Sequence, residues 1–300
     1  MAGHRYGKEA GANMNIKNLL KRIPFAVQLS RIVASLKKSR SNKKIMKQLN
    51  NAPYPLGVQV REALESLYGE LSKSDQDWIE RIENERKHLL SWNEPLDDGS
   101  LGKGGLYDKG VTIQQACKVS KPPKPALMLF LLTRAIKPLN VIELGTNVGI
   151  SSAYIGAALK VNGQGGKITT LDASPYRQRL GKEIHCNLGL DNIAYVQGLF
   201  RDTLNPSLMQ LGSIDLAFID GHHQYQPTLD YFEEILKFST PDAAFVFDDI
   251  RWSEGMKKAW SHFQSDERLG VIVDLSSVGV CGRRQQKVPQ RFVFDPIEAF

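Results

Sequence analysis

Carboxylates follow several short apolar segments in the second half of the chain. Asp172, Asp220 and the pair Asp248 and Asp249 each come directly after such a segment. If the segments are strands of an open α/β sheet, these acids lie at the edge where ligands bind. Asp220, Asp248 and Asp249 would bring three carboxylates together, and these repel one another unless protons or a cation offset their charge. Oxygen ligands suit magnesium better than zinc. His223 follows Asp220 closely, and a histidine can accept a proton near neutral pH.

A second feature is the turn at residues 141–152, which reads Val-Ile-Glu-Leu-Gly-Thr-Asn-Val-Gly-Ile-Ser-Ser. Gly145 permits a sharp turn after the apolar strand, and Gly149 lets the next helix start close to the sheet. The spacing Glu-x-Gly-x-x-x-Gly differs from the Gly-x-Gly-x-x-Gly of a dinucleotide site, whose glycines lie close together to admit a pyrophosphate. A cofactor with a carboxylate and a ribose but no phosphate fits this spacing better.

This turn resembles motif I of the class I S-adenosylmethionine-dependent methyltransferases, and its Glu-Leu-Gly-x-x-x-Gly-x-Ser form is similar to that of the catechol O-methyltransferase group. The resemblance implies that the turn wraps the methionine part of S-adenosylmethionine and that Asp172 accepts the ribose hydroxyls. The cofactor-binding residues that it implies are Glu143, Gly145, Asn147, Gly149, Ser151, Asp172, Gly198, Leu199 and Asp220. The alternative is an ordinary strand-to-helix turn, with Asp172 acting as a helix cap.

The acidic and histidine residues resemble a narrower group. Asp-Gly-His-His at residues 220–223, with Asp248 and Asp249 after the next strand, is similar to the metal-dependent O-methyltransferases that act on sugar hydroxyls of macrolide antibiotics. The resemblance implies that Asp220, Asp248 and Asp249 bind magnesium and that His223 is the general base. A metal that holds the hydroxyl oxygen would lower its pKa. Two alternatives stay open, namely loop acids without a metal and His222 as the base.

The acceptor is predicted to be a hydroxyl of a small molecule such as a sugar, a polyketide or a phenol. Enzymes that methylate exocyclic amines of nucleic-acid bases usually carry Asn or Asp followed by Pro-Pro-Tyr or Pro-Pro-Phe after the fourth strand. Here that place reads Asp-Gly-His-His at residues 220–223, which argues against DNA adenine methylation. An RNA substrate is suggested only by the basic N-terminal region.

The elements that would position these residues alternate between strand and helix from Val141 onward, which predicts an α/β, doubly wound parallel sheet of the Rossmann-like methyltransferase type. The predicted strands are 141–144, 167–171, 193–197, 214–219 and 243–247. The predicted helices are 150–161, 175–187, 205–210, 228–238 and 255–264. The tail, residues 271–280 and 292–294, is predicted to form a β-hairpin that completes the sheet antiparallel.

Three regions are predicted along the chain. Residues 1–53 form a basic amphipathic arm, residues 54–136 form a helical segment, and residues 137–300 form the S-adenosylmethionine-binding core. The helical segment contains a glycine-dense stretch at 97–110, which is typical of a mobile lid over a pocket or of a plain linker.

The charge is distributed unevenly. Residues 1–50 contain twelve lysines and arginines against one acid, Glu9, while the whole chain carries +7, so the remainder is net acidic. A basic amphipathic helix can contact a membrane surface or nucleic acid. Because runs of charged residues are usually solvated, we favour the alternative that the apolar face of this helix packs on the same domain or on a second copy in a homo-oligomer. Three widely spaced cysteines and the lack of a long apolar run favour a cytoplasmic protein with reduced thiols.

Overall fold

The computed structural model describes residues 44–96, 111–284 and 292–294. The predictions for the arm up to residue 43 and for the glycine-dense stretch at 97–110 therefore lie outside the described residues. The chain divides by its internal contacts into residues 1–46 and residues 47–300. All helices and strands named below belong to the second unit.

The described strands form one eight-stranded sheet in the order β3-β2-β1-β4-β5-β7-β6-β8. The first five run parallel to one another, as predicted for a doubly wound fold. Their bounds are β1 Asn140–Leu144, β2 Lys167–Asp172, β3 Ile193–Gln197, β4 Ile214–Ile219 and β5 Ser239–Phe247. The α/β prediction is confirmed.

The register of the central strands brings their carboxyl ends level. Leu144 of β1 pairs with Leu171 of β2 on one side and with Ile219 of β4 on the other, and Ile219 pairs with Phe247 of β5. The residues that follow these four positions therefore meet at one edge of the sheet, as the sequence predicts for its acids.

The C-terminal strands complete the sheet. Strands β6 (Leu269–Asp274) and β7 (Gly279–Arg283) form an antiparallel hairpin, and β7 lies antiparallel to β5. Strand β8 (Phe292–Phe294) runs parallel to β6 at the edge. The antiparallel hairpin is confirmed, but its two strands are β6 and β7, and the segment at 292–294 is not part of it.

Within the described residues 55–96 and 111–136, four helices precede the sheet: α1 Pro55–Tyr68, α2 Lys73–Ser91, α3 Ile113–Lys118 and α4 Pro123–Ile136. Helix α4 packs against α1 and against the first helix of the sheet domain, so the helical segment is tied to the sheet. The helices between or after strands are α5 Ile150–Asn162, α6 Pro175–Leu188, α7 Phe200–Leu211, α8 Tyr225–Phe238 and α9 Glu254–Ser265.

Helix α7 is longer than the six residues that the sequence predicts. It begins at Phe200 and contains Pro206 in its interior. An interior proline removes one helical hydrogen bond, which makes a helix here unfavourable by local propensity alone. Leu204 and Leu208 are buried in the core cluster, so packing offsets that cost. Among the described residues, no helix is long and apolar enough to cross a membrane.

Candidate active site

The turn after β1 depends on two glycines with left-handed backbone. Gly145 has φ of 108°, and a Cβ built on it would lie 2.2 Å from the carbonyl oxygen of Asp220. Gly149 is the N-cap of α5 with φ of 83°, and a Cβ there would lie 2.6 Å from Cα of Gly181 in α6. Residues with a side chain fit neither place, because the turn, the β4 end and α6 approach one another too closely.

The Asn147 side chain ties this turn to the segment before the sheet. Its amide Nδ2 donates to the carbonyl oxygen of Ala116 at 2.9 Å and to Oγ of Ser120 at 3.1 Å. Its Oδ1 accepts a hydrogen bond from Nη1 of Arg177 at 2.8 Å. The predicted cofactor residue Asn147 therefore holds two elements in place, and it also lines the cavity described below.

Asp172 ends β2 with its carboxylate held by backbone donors. The N–H groups of Asn147 and Ser174 each donate to it at 2.8 Å. Burial raises the pKa of Asp172, while these N–H groups and Arg177 act in the opposite direction. A carboxylate has about four lone-pair sites, so a carboxylate fixed by two donors keeps acceptor capacity for hydroxyls of a ligand.

Glu143 lies on β1 and is completely buried. Its Oε2 accepts hydrogen bonds from the hydroxyls of Ser152 and Thr170, both at 2.6 Å. Burial raises the pKa of the carboxyl to about 7. The structure thus places this predicted cofactor residue behind the turn, where it braces β1 against β2 and α5.

One cavity of about 520 Å³ opens at the carboxyl edge of the sheet. The lining includes most predicted site residues: Gly145, Asn147, Ser151, Asp172, Leu199, Asp220, His223, Asp248 and Asp249. Three predicted cofactor residues, Glu143, Gly149 and Gly198, do not appear in this lining. Gly149 and Gly198 instead have backbone φ of 83° and 145°, so they shape the turns that border the cavity.

Asp220, Asp248 and Asp249 come together after β4 and β5 and are called here the acidic corner. Lys121, which the sequence patterns do not predict as a site residue, lies with them. Its Nζ forms an ion pair with Oδ1 of Asp248. Both side chains are almost fully buried, at 4% and 5% exposed. Burial lowers the pKa of Lys121, and the nearby charges of Asp220 and Asp249 raise it.

The ammonium of Lys121 therefore lies among the three predicted magnesium ligands. In residues 44–96, 111–284 and 292–294, no group of three or more His, Cys, Asp or Glu side chains is arranged to hold a metal ion. The carboxylates of Asp220, Asp248 and Asp249 are brought together as the sequence predicts, but this geometry does not support the prediction of magnesium.

The two histidines after β4 line the cavity in different ways. Nε2 of His223 lies 3.5 Å from Oδ1 of Asp220. Nδ1 of His222 lies 2.7 Å from the hydroxyl of Tyr231, and its ring stacks on that tyrosine. Burial lowers the pKa of His222, as does the charge of His223.

Strained backbone concentrates at this edge. His222, His223 and Asp249 have φ of 70°, 38° and 52°, in a region that residues with a side chain rarely adopt. Asn147 has φ of 46° in the facing turn. Such strain costs about 1–3 kcal/mol per residue and clusters at binding sites, because surrounding packing must hold it in place.

Several lining residues carry no signal in the sequence. Lys121 comes from the connection between α3 and α4, and Phe200 comes from the first turn of α7. Phe200 packs edge-on against Tyr231 at 5.5 Å between ring centroids, which closes the side of the cavity near Gly221. The lysine and the two aromatic rings reach the cavity only through tertiary packing, so no local spacing could mark them.

Comparison with known proteins agrees with this geometry. A family model described as a methyltransferase domain matches residues 142–250. A catechol O-methyltransferase of Niastella koreensis is 27% identical over 134 residues, which cover 44% of this chain and 58% of that protein. The chain spans little more than half the length of the curated relatives that it matches first.

Solved structures share the fold. The S-adenosylhomocysteine-bound methyltransferase PaMTH1 of Podospora anserina is similar with a TM-score of 0.53 and 15% identity over 74% of this chain and 92% of that chain. Cofactor-bound Rv0187 from MTB is similar with a TM-score of 0.51 and 17% identity over 78% of this chain and 99% of that chain. At such identities the likeness extends to the arrangement of strands and helices.

Proposed function

We propose that the chain carries a class I S-adenosylmethionine-dependent methyltransferase domain and that it transfers the methyl group of S-adenosylmethionine to a hydroxyl of a small molecule. The methyltransferase-domain family model that matches residues 142–250 supports this proposal. One observation carries the proposal: a single cavity is lined both by the carboxylate of Asp172 and by the pair Asp220 and His223. The first suits a ribose, and the second suits proton removal from an acceptor.

The strand order separates the two halves of this chemistry. Asp172 ends β2 and Asp220 follows β4, and these two strands lie on either side of β1. Two strand spacings amount to about 10 Å, enough for a nucleoside to lie across β2 and β1 with its sulfonium toward β4. The cavity volume of 520 Å³ falls within the range of small-molecule sites.

S-adenosylmethionine supplies a methyl group on a positively charged sulfur. Transfer forms the oxygen–carbon bond and breaks the sulfur–carbon bond, whose electron pair stays on sulfur, and the hydroxyl proton passes to a base. We assign that base to His223, because it lines the cavity within 3.5 Å of Asp220, whose carboxylate would stabilise the imidazolium.

Magnesium assistance remains a prediction from the sequence. Asp220, Asp248 and Asp249 offer the oxygen ligands that magnesium prefers, but Asp248 already pairs with the Lys121 ammonium. These residues do not fit a divalent ion, so the proposed proton transfer involves only Asp220 and His223.

The test is methyl transfer from labelled S-adenosylmethionine to a panel of catechols, phenolic acids, polyketides and sugars. His223→Ala is expected to bind S-adenosylhomocysteine like the wild type in calorimetry but to transfer label at least about 100-fold more slowly, because general bases contribute 10²- to 10⁴-fold. His222→Ala is the matched control, since its Nδ1 is already engaged by Tyr231.

Transfer that persists in His223→Ala, or falls equally in His222→Ala, would reject the assignment of the base. Failure of the wild type to bind S-adenosylhomocysteine, together with no label on any hydroxyl acceptor, would reject the function itself.

A further inference from the structure

Lys121 is a buried cation whose positive charge offsets the repulsion among the three carboxylates of the acidic corner. Its ammonium pairs directly with Asp248, and the charges of Asp220 and Asp249 also act on it. Lysine is almost never this buried unless it is paired, because desolvating an ammonium is costly. The ion pair therefore accounts for the burial of both side chains, and the lysine still lines the cavity.

The backbone around Lys121 holds the side chain in this position. Pro122 is the N-cap of α4 with φ of −58°, and Pro123 follows it at the first helical position. The residue before a proline is restricted to extended conformations, so Lys121 has little backbone freedom. The Asn147 amide also fastens the preceding residue, Ser120, to the turn after β1. Lys121 is thus fixed relative to the proposed cofactor site.

We propose that the Lys121 ammonium takes the place of a divalent metal ion in the acidic corner, so that the transfer proposed above needs no metal. An ammonium has three N–H donors, and the pair with Asp248 leaves donors that can face an acceptor oxygen in the cavity. As the acceptor loses its proton to His223, the positive charge of Lys121 stabilises the negative charge that develops on oxygen. The catalytic part of this inference rests on the proposed function.

A magnesium ion fits poorly beside this lysine for two reasons. Magnesium requires nearly octahedral oxygen ligands at about 2.0–2.1 Å, whereas Oδ1 of Asp248 is in contact with the ammonium. The two cations would also repel each other in a buried site, where charges are weakly screened. Removal of the lysine side chain should therefore free the three carboxylates for a metal.

The test measures Mn²⁺ binding by the loss of the free-ion electron paramagnetic resonance signal, without cofactor or acceptor. Lys121→Ala is expected to bind Mn²⁺ at least about tenfold more tightly than the wild type, because one buried positive charge is removed from three carboxylates. Lys118→Ala is the matched control, since Lys118, the last residue of α3, also lines the cavity but is exposed and donates to Gln114 instead of pairing with Asp248. It should bind Mn²⁺ like the wild type.

The double variant Lys121→Ala, Asp248→Asn tests whether the Mn²⁺ ion binds at the acidic corner. It should lose the Mn²⁺ affinity that Lys121→Ala gains. Equal Mn²⁺ affinity in the wild type and Lys121→Ala, or a gain that survives Asp248→Asn, would overturn the proposal. Wild-type protein that binds one Mn²⁺ tightly would overturn it as well, whether or not the variants fold.

The Mn²⁺ readout separates this inference from the proposed function. S-adenosylhomocysteine binding, measured by calorimetry on the same samples, reports whether Lys121→Ala retains the cofactor site. Once an acceptor is found, wild-type transfer that is unchanged by EDTA supports the metal-independent role. Transfer that EDTA abolishes and Mg²⁺ restores would overturn that role while leaving the methyltransferase function intact.

Discussion

Substitution of Gly149 by alanine measures how closely the turn after β1 must approach α6. The new Cβ would lie 2.6 Å from Cα of Gly181 and 2.9 Å from Nε2 of His185, and the latter atom already contacts the Gly149 carbonyl oxygen at 2.7 Å. The left-handed backbone of Gly149 adds a second cost for any residue with a side chain.

Substitution of Gly163 by alanine separates the steric cost of the new Cβ from the cost of left-handed backbone. It caps the other end of α5 with φ of 69°, but no described atom lies within 4 Å of its Cβ position. Gly163→Ala should therefore lose only about 1–2 kcal/mol, the cost of left-handed alanine. Gly149→Ala should lose a further 1–3 kcal/mol or so from overpacking, since backbone and a buried histidine must move.

Urea denaturation or thermal melting of the two variants gives the comparison. Each kcal/mol corresponds to about 2–4 °C in Tm for a domain of this size, so Gly149→Ala should melt roughly 2–12 °C below Gly163→Ala. Any gain from a less flexible unfolded chain is the same for both variants and cancels in the difference. Equal destabilisation of the two variants would refute the close-packing argument.

Two further predictions concern carboxylates of the sheet. Asp172→Asn should weaken S-adenosylhomocysteine binding by about 10- to 100-fold in calorimetry, since hydrogen bonds to a charged group contribute about 1.5–3 kcal/mol. An affinity within twofold of the wild type would show that Asp172 does not bind the ribose. Glu143→Gln should become more stable relative to the wild type as the pH rises from 4.5 to about 7. Because the pKa of Glu143 is raised to about 7, the native wild type holds this proton at low pH and is stabilised by it. The wild type loses that stabilisation as the pH rises through about 7. The full difference is at most about 3 kcal/mol, and urea denaturation of both proteins at pH 5 and pH 8 measures it; an unchanged difference between the two pH values would contradict the burial argument.

The sheet and much of the site could be predicted because they depend on local pattern. Apolar segments of five or six residues ended by Asp172 or Asp220 mark parallel strands, and strand register alone brings their ends to one edge. The turn from Gly145 to Gly149 could be predicted in the same way, since its glycine spacing reflects backbone that only glycine tolerates.

Other parts of the site depend on which residues pack together after folding. Lys121 belongs to a connection before β1, and no spacing links it to Asp248, which lies far along the chain. Glu143 is part of the predicted motif, but its side chain accepts hydrogen bonds from Ser152 and Thr170 and is not part of the cavity lining. Most of the site residues that the pattern of residue types predicts do line the cavity, but the pattern does not predict the lysine that pairs with one of the acids there.

The most direct test of the central claim is the titration of S-adenosylhomocysteine into wild-type protein that has been treated exhaustively with chelator. The cavity lined by Gly145, Asp172 and Asp220 should bind one molecule per chain, with an affinity that added Mg²⁺ leaves unchanged. Absence of saturable binding in calorimetry, both before and after Mg²⁺ is added, would contradict the claim that this cavity is a methyl-donor site.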